Sequence, residues 1–215
     1  MKSRTAIADI RREYTGEELD KANLPDDPFL QFNRWFADAG EKEGSDVNGM
    51  TLATATPEGV PSARIVLLKG VDTGFLFFTN YDSRKGEELE KNPHAALVFW
   101  WPSLNRQVRI EGKVEQISSE ESNDYFNSRP RGSRIGAIAS PQSQVIDSRE
   151  FLEERVAEVG KTYSEEEQMP RPTQWGGYRL LPEKIEFWQG RESRLHDRIR
   201  YRIEGEKWVK ERLAP

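Results

Sequence analysis

One of the chain's two histidines lies in its densest cluster of reactive side chains, the run Ile185-Glu186-Phe187-Trp188-Gln189-Gly190-Arg191-Glu192-Ser193-Arg194-Leu195-His196-Asp197-Arg198. An apolar, aromatic strand leads into a glycine turn and emerges as Arg194, His196 and Arg198, which alternate at period two. In an extended segment those three side chains share one face, and Leu195 points the other way, toward packing. Two guanidinium groups and an imidazole are poor core material, because burying cations without partners is costly. Such a face suits a planar anionic ligand. It equally suits a solvated edge strand of alternating charge, and spacing alone leaves both readings open.

Four further clusters carry anion-binding chemistry. Arg64 and Lys69 bracket the buried-strand pattern Ile65-Val66-Leu67-Leu68, which also reads as ordinary strand-terminal charge. Thr79-Asn80 followed by Ser83-Arg84-Lys85-Gly86 joins a strand end, a polar turn and a helix N-terminus with two adjacent cations. Backbone donors and the helix dipole attract anions there, and the cations add charge-assisted hydrogen bonds. Without an anion, basic residues at that helix end are unfavourable, so a phosphate cradle is the better reading. Tyr125-Phe126-Asn127-Ser128-Arg129-Pro130-Arg131-Gly132-Ser133 is a second candidate phosphate site, or a solvated loop. Ser140-Pro141-Gln142-Ser143-Gln144 offers amide and hydroxyl donors. His94, beside Pro93, reads as structural, and two isolated histidines without matching carboxylates make no metal site.

The elements that must position these groups are mostly strands. Asp27 is an N-cap with Pro28 in the first helical turn, and Phe29, Phe32, Trp35, Phe36 and Ala39 follow at helical spacing to Gly40 or Gly44. Strands are predicted over 50–56, 61–69, 75–80, 95–101, 107–117, 177–181, 184–189, 197–204 and 207–213. Helices are predicted from Ser83 to Glu90, from the capping box Ser118-Ser119-Glu120-Glu121 to Asn127, over Ser133 to Ala139, and after Asp147-Ser148 with Phe151, Leu152, Val156 and Val159 as its apolar stripe. Tyr163 to Gln174 reads as an acidic loop. Connections are hairpin-like rather than strand–helix–strand crossovers. The fold class is therefore mainly β, a largely antiparallel barrel with peripheral α-helices. Residues 1–25 read as an N-terminal arm with a short helix near Ile7 to Tyr14, packed on the body or mobile, and 26–215 as one domain.

Composition narrows the function. The 215 residues are 35% hydrophobic and 32% charged, with net charge −5. Bulk charge thus argues against nucleic-acid or membrane-surface binding, and any anion site must be local. With no cysteine, a thiolate nucleophile, a disulfide framework and a Cys-ligated metal are excluded. The N-terminus lacks an apolar signal region, and no apolar run approaches the ~20 residues of a membrane span. The cytoplasm is the expected compartment.

Two anion cradles plus an Arg/His face suggest two phosphorylated, planar ligands. In this the sequence resembles the pyridoxamine 5′-phosphate oxidase family. The matching segments are Arg11-Arg12-Glu13-Tyr14, Arg64 to Lys69, Phe77-Phe78-Thr79-Asn80 with Ser83-Arg84-Lys85, Arg106-Gln107-Val108, Tyr125-Phe126 with Ser128-Arg129-Pro130, Gln142-Ser143, Trp175-Gly176-Gly177, Ile185 to Gly190, Arg194-Leu195-His196-Asp197-Arg198 and Arg212-Leu213-Ala214-Pro215. They occur in family order over nearly the whole chain.

The resemblance implies an FMN-binding split β-barrel that works as a homodimer, with FMN at the interface and both chains contributing to each site. By motif matching, Arg64, Arg84, Lys85, Gln142 and Ser143 would hold the FMN phosphate. Ile65, Val66, Leu67, Leu68, Lys69, Phe78, Thr79, Gln107, Trp188 and Arg198 would line the rest of the cofactor. Lys69, Tyr125, Arg129 and Ser133 would hold the substrate phosphate, Arg194, Leu195 and His196 would meet the pyridine ring, and Arg11, Arg12, Glu13 and Tyr14 would close over it. The implied reaction oxidises pyridoxine or pyridoxamine 5′-phosphate at C4′ to pyridoxal 5′-phosphate, with hydrogen peroxide from dioxygen and ammonia from the amine. Arg194 and His196 would be its catalytic residues, and no metal is needed. A non-catalytic flavin- or haem-binding barrel would lack the second cradle. A single-strand nucleic-acid binder fits the net charge poorly.

Overall fold

A computed structural model describes residues 7, 9–10, 12–163 and 169–215. Nine strands and five α-helices lie among them: α1 (Pro28–Glu43), β1 (Gly49–Ala55), β2 (Pro61–Leu67), β3 (Gly70–Val71), β4 (Phe75–Asn80), α2 (Arg84–Lys91), β5 (His94–Trp101), β6 (Arg106–Gln116), α3 (Ser119–Ser128), α4 (Arg131–Ala139), α5 (Arg149–Thr162), β7 (Trp175–Gln189), β8 (Asp197–Glu204) and β9 (Lys207–Leu213). The strands hydrogen-bond in the order β2-β1-β5-β6-β7-β4-β3, with β8 paired to β7 and β9 to β8. The pairs β3–β4, β4–β7, β7–β8 and β8–β9 are antiparallel.

The chain forms two compact units. One comprises the described residues up to Met50, Leu97–Ile110 and Glu183–Pro215. Its core is aromatic. α1 starts where the Asp27 carboxylate accepts the Phe29 amide at 2.8 Å, and it buries Phe32, Trp35 and Ala39. Phe32 meets Phe99 and Trp101, and Trp35 meets Phe187 edge-on at 5.2 Å. The described residues before α1 are tied down by hydrogen bonds. Leu19 N donates to Asp197 Oδ2 at 3.1 Å, and Tyr201 and Lys210 donate to the carbonyls of Pro25 and Leu24.

The second unit comprises Thr51–Ala96 and the described residues of Glu111–Pro182. Its sheet buries Leu52, Phe75, Phe77 and Leu180. Beside it, Phe126, Ile135, Met169 and Trp175 form a cluster that joins α3 and α4 to the start of β7.

Several sequence expectations change. The two strands expected at 177–181 and 184–189 are one, β7, 15 residues long. Pro182 does not break it, because Gly112 of β6 has no side chain where Leu181 O and Pro182 Cα approach. The buried-strand pattern at 65–68 is buried only at Leu68 in this chain. β2 contains no buried residue, and Ile65 and Leu67 are exposed. The stripe expected on α5 is only partly covered, with Phe151 and Val156 exposed. The helix expected at Ile7 to Tyr14 lies partly outside the described residues, and Arg12 to Tyr14 are irregular. The loop at 163–174 also lies partly outside them.

Candidate active site

Within the second unit, β2, the end of β4, the first turn of α2 and the α3–α4 junction enclose a cleft of about 510 Å³, within the roughly 300–1,000 Å³ typical of small-molecule sites. Arg64, Ile65, Val66, Leu67, Lys69, Phe78, Thr79, Lys85, Tyr125, Arg129, Ser133 and Gln142 line it. Residues spread over more than a hundred positions of sequence meet here.

One pole of the cleft is Lys85. Ser83 caps α2 by accepting the Gly86 amide, which places Lys85 in the first helical turn. Its Nζ donates to Gln142 Oε1 at 2.9 Å, Thr79 Oγ1 at 3.1 Å and Ser83 Oγ at 3.2 Å. These partners are neutral oxygens, so they do not cancel its charge. Burial and the nearby Arg64 charge push the Lys85 pKa down to about 8. An anion at this pole would reverse that penalty.

Arg129 marks the other pole. Its guanidinium lies 4.7 Å from the centre of the Trp175 ring, and its Nη1 is buried without a hydrogen-bond partner among the described residues. A buried unsatisfied donor is costly unless a ligand completes it. Between the poles, Phe78 stacks on Tyr125 at 3.8 Å and on Trp175 at 5.5 Å. Two cationic poles and a stacked aromatic wall fit phosphate groups carried on flat rings. The residues present therefore fit the FMN phosphate at Lys85 and leave a second anion-binding position at Arg129.

The first unit carries a separate group. His196 lies 4.5 Å from Trp188 and 5.4 Å from Tyr14, ring centre to ring centre. Gly190 permits this packing, since a Cβ there would come within 2.8 Å of the Tyr14 ring. The Arg191 amide donates to His196 Nδ1 at 3.0 Å. That bond requires an unprotonated Nδ1, so the neutral ring carries its proton on Nε2. Burial, together with the Arg194 charge, lowers the His196 pKa. Arg12, Glu13, Tyr14 and Arg194 line a groove of about 450 Å³. Arg198 grips Glu186 with a two-pronged pair at 2.8 and 3.0 Å, and is the cross-strand partner of Trp188. Gln107 is half-buried on β6.

Other expected site residues fall elsewhere. Arg194, His196 and Arg198 do not share a strand face. Glu192–Arg194 form a 3₁₀ turn, Ser193 and Arg194 have φ of 54° and 61°, and β8 begins only at Asp197. The turn is closed by Leu195 N to Glu192 O and by the amide bond to His196. This also overturns the inward Leu195, which is 70% exposed. Leu68 turns into the core. Arg84 pairs with Glu88 at 2.9 Å and lines a different groove, beside Thr56. Ser143 is exposed, with φ 70°, outside the cleft lining. Arg11 lies outside the described residues. Sequence reasoning missed Trp175 and Pro130 as lining residues, and it missed Glu88, whose signal was its helical spacing from Arg84.

Comparison with known proteins agrees with this arrangement. The family model described as pyridoxamine 5′-phosphate oxidase matches residues 41–163. The model described as pyridoxine 5′-phosphate oxidase C-terminal dimerisation region matches residues 175–215. The pyridoxine/pyridoxamine 5′-phosphate oxidase of Salinibacter ruber is 56% identical over 97% of this chain and 99% of its own. That of Gloeothece citriformis is 57% identical over 98% and 99%. Among solved structures, PhzG from Burkholderia lata 383, in complex with tetrahydrophenazine-1-carboxylic acid, superposes with a TM-score of 0.87 at 30% identity, covering 94% of this chain and all of that one. An FMN-binding protein of Nostoc punctiforme shares the fold at 17% identity, with a TM-score of 0.71. The fold class is thus the largely antiparallel, FMN-binding split barrel. The chain belongs to the pyridoxamine 5′-phosphate oxidase family.

Proposed function

We propose that the protein is an FMN-dependent oxidase that converts pyridoxine 5′-phosphate and pyridoxamine 5′-phosphate to pyridoxal 5′-phosphate and works as a homodimer. The observation that carries this reading is the cleft with two cationic poles, Lys85 and Arg129, on either side of a stacked aromatic wall. Non-catalytic flavin carriage would leave the Arg129 pole without a ligand.

Lys85, Arg64 and Gln142 would hold the FMN phosphate; Ser143 lies outside the cleft lining, and Arg84 is engaged by Glu88. When bound, FMN would supply the hydride acceptor for C4′ of the vitamer, with dioxygen as the final oxidant, reduced to hydrogen peroxide. The chain supplies position and charge. Arg129, Tyr125, Ser133 and Lys69 fix the substrate phosphate, which sets the distance of the ring from that anchor. His196 offers an Nε2–H donor to a ring substituent, because its Nδ1 is already engaged. Arg194 lies over the ring, where its fixed charge favours electron density and excludes water. Arg12, Glu13 and Tyr14 would cover the ligand. Ile65, Val66, Leu67, Phe78 and Thr79 of the cleft would line the flavin; the resemblance adds Trp188, Arg198 and Gln107, which lie outside that cleft.

Residues 26–215 act as one FMN-binding domain with an N-terminal arm, and a cytoplasmic location belongs to the same proposal. Cell fractionation checks the location. An absorption spectrum of the purified protein, then a peroxide assay with pyridoxine 5′-phosphate, tests the function. A colourless protein that takes up no FMN and releases no peroxide would refute it.

A further inference from the structure

Behind the phosphate pole of the cleft lies a carboxylate that no step above uses. Glu88 is 6% exposed and gathers groups from three elements. Its Oε2 accepts from Thr54 Oγ1 of β1 and from Ser62 Oγ of β2, the latter at 2.5 Å. Its Oε1 accepts from Arg84 Nε of α2 at 2.9 Å. Arg64 Nη2 lies 3.5 Å from Oε2.

The same two hydroxyls also face Arg64. Arg64 Nη1 donates to Thr54 Oγ1 at 2.6 Å, and Nη2 donates to Ser62 Oγ at 2.5 Å. A hydroxyl has one proton and two lone pairs. With both protons committed to the carboxylate, both oxygens must present lone pairs to the guanidinium. Two parallel relays, Glu88–Thr54–Arg64 and Glu88–Ser62–Arg64, therefore fix one edge of Arg64. A third bond, from Nη1 to Leu52 O at 3.3 Å, adds to the same edge.

We propose that Glu88 is a positioning residue for cofactor binding: through the Thr54 and Ser62 hydroxyls it holds Arg64 in the orientation that meets the FMN phosphate. This rests on the reading of the Lys85 pole as the phosphate site. The relay needs an ionised carboxylate. Burial opposes that state, but hydrogen bonds from Ser62, Thr54 and Arg84 overcome it and hold the Glu88 pKa down at about 2. The carboxylate also balances Arg64 and Arg84 beside the buried Lys85, which makes three cations compatible with one small region before any ligand arrives.

The test compares FMN with riboflavin, which has the same ring system and no phosphate, by fluorescence titration of the flavin-stripped full chain. Glu88→Gln keeps the shape and removes the charge. Loss of a charge-assisted contact corresponds to about 10- to 100-fold in affinity, so FMN should weaken by that factor while riboflavin changes by less than about 3-fold. In an Arg64→Gln background, Glu88→Gln should cost nothing further, because the group it positions is gone. Thr54→Ala and Ser62→Ala each remove one relay, and they should show the same selective loss at smaller size even if Glu88→Gln folds poorly. Equal weakening of FMN and riboflavin, or additive losses with Arg64→Gln, would mean that Glu88 only supports the fold, and the proposal falls. If the wild type prefers FMN to riboflavin not at all, the phosphate site itself is wrong, and the proposal falls with it.

Discussion

The backbone amide of Arg191 donates to His196 Nδ1, five positions along the chain, at 3.0 Å. This one bond decides which nitrogen of the ring faces a ligand. It holds Nδ1 as an acceptor and leaves the proton on Nε2.

The neutral Nε2–H tautomer should therefore dominate at neutral pH, as read from ¹⁵N shifts of the labelled imidazole. The folded-state pKa is lowered, chiefly by burial. The unfolded chain thus takes up the proton first as pH falls. The stability contributed by neutral His196 is present above the unfolded value near ~6.5 and is lost as pH drops through the folded one. An Nδ1–H tautomer at pH 7 would contradict the turn described here.

Lys85 gives FMN binding a pH dependence of its own. Its flavin-free pKa is about 8, below the ordinary 10.5. A bound phosphate raises it again, so above pH 8 binding must take up a proton. FMN affinity should fall with rising pH from about 8, by at most roughly tenfold per unit. In the flavin-free protein the sign is opposite. Between about 8 and 10.5 the unfolded chain holds the extra proton, so Lys85's contribution to stability improves as pH rises. Isothermal titration at pH 7 and 9 with wild type and Lys85→Arg checks this; an equal slope in both proteins would remove Lys85 as the cause.

Arg129 should act on substrate and not on flavin. Its Nη1 has no hydrogen-bond partner among the described residues, and its ring contact is with Trp175. Arg129→Ala should raise the KM for pyridoxine 5′-phosphate by about 10- to 100-fold, with one FMN per chain still bound. Lys85→Ala should do the reverse and shed flavin. A flavin-free Arg129→Ala protein with unchanged KM after reconstitution would exchange the two assignments.

Leu195 and Ile199 separate loop from core. Leu195 is 70% exposed, so Leu195→Ala should change stability by less than about 0.5 kcal/mol. Ile199, fully buried on β8, should cost about 2–5 kcal/mol when cut to Ala. Thermal unfolding of both variants, at matched flavin content, reads the difference. A large loss at Leu195 would show that the loop packs in the dimer.

Much of this protein was legible in its residues alone. Asp27 and Pro28 and the Ser118–Glu121 capping box are short-range devices, and they start helices where expected. The motif order was enough to name the family, because the chemistry of a phosphate cradle restricts residue types position by position. Other features depend on contacts between distant parts of the chain. β7 runs through Pro182 because Gly112, seventy positions earlier, leaves room for it. Arg84 turns from the cleft because Glu88 competes for it, and Lys85 loses part of its usual basicity because burial and the Arg64 charge disfavour its protonated form. The period of two across Arg194 to Arg198 was real in the sequence. A backbone amide finding an imidazole nitrogen curled that segment into a turn instead of a strand. Local propensity can state what a segment prefers by itself, but burial and charge pairing are set by neighbours that only the folded chain brings together.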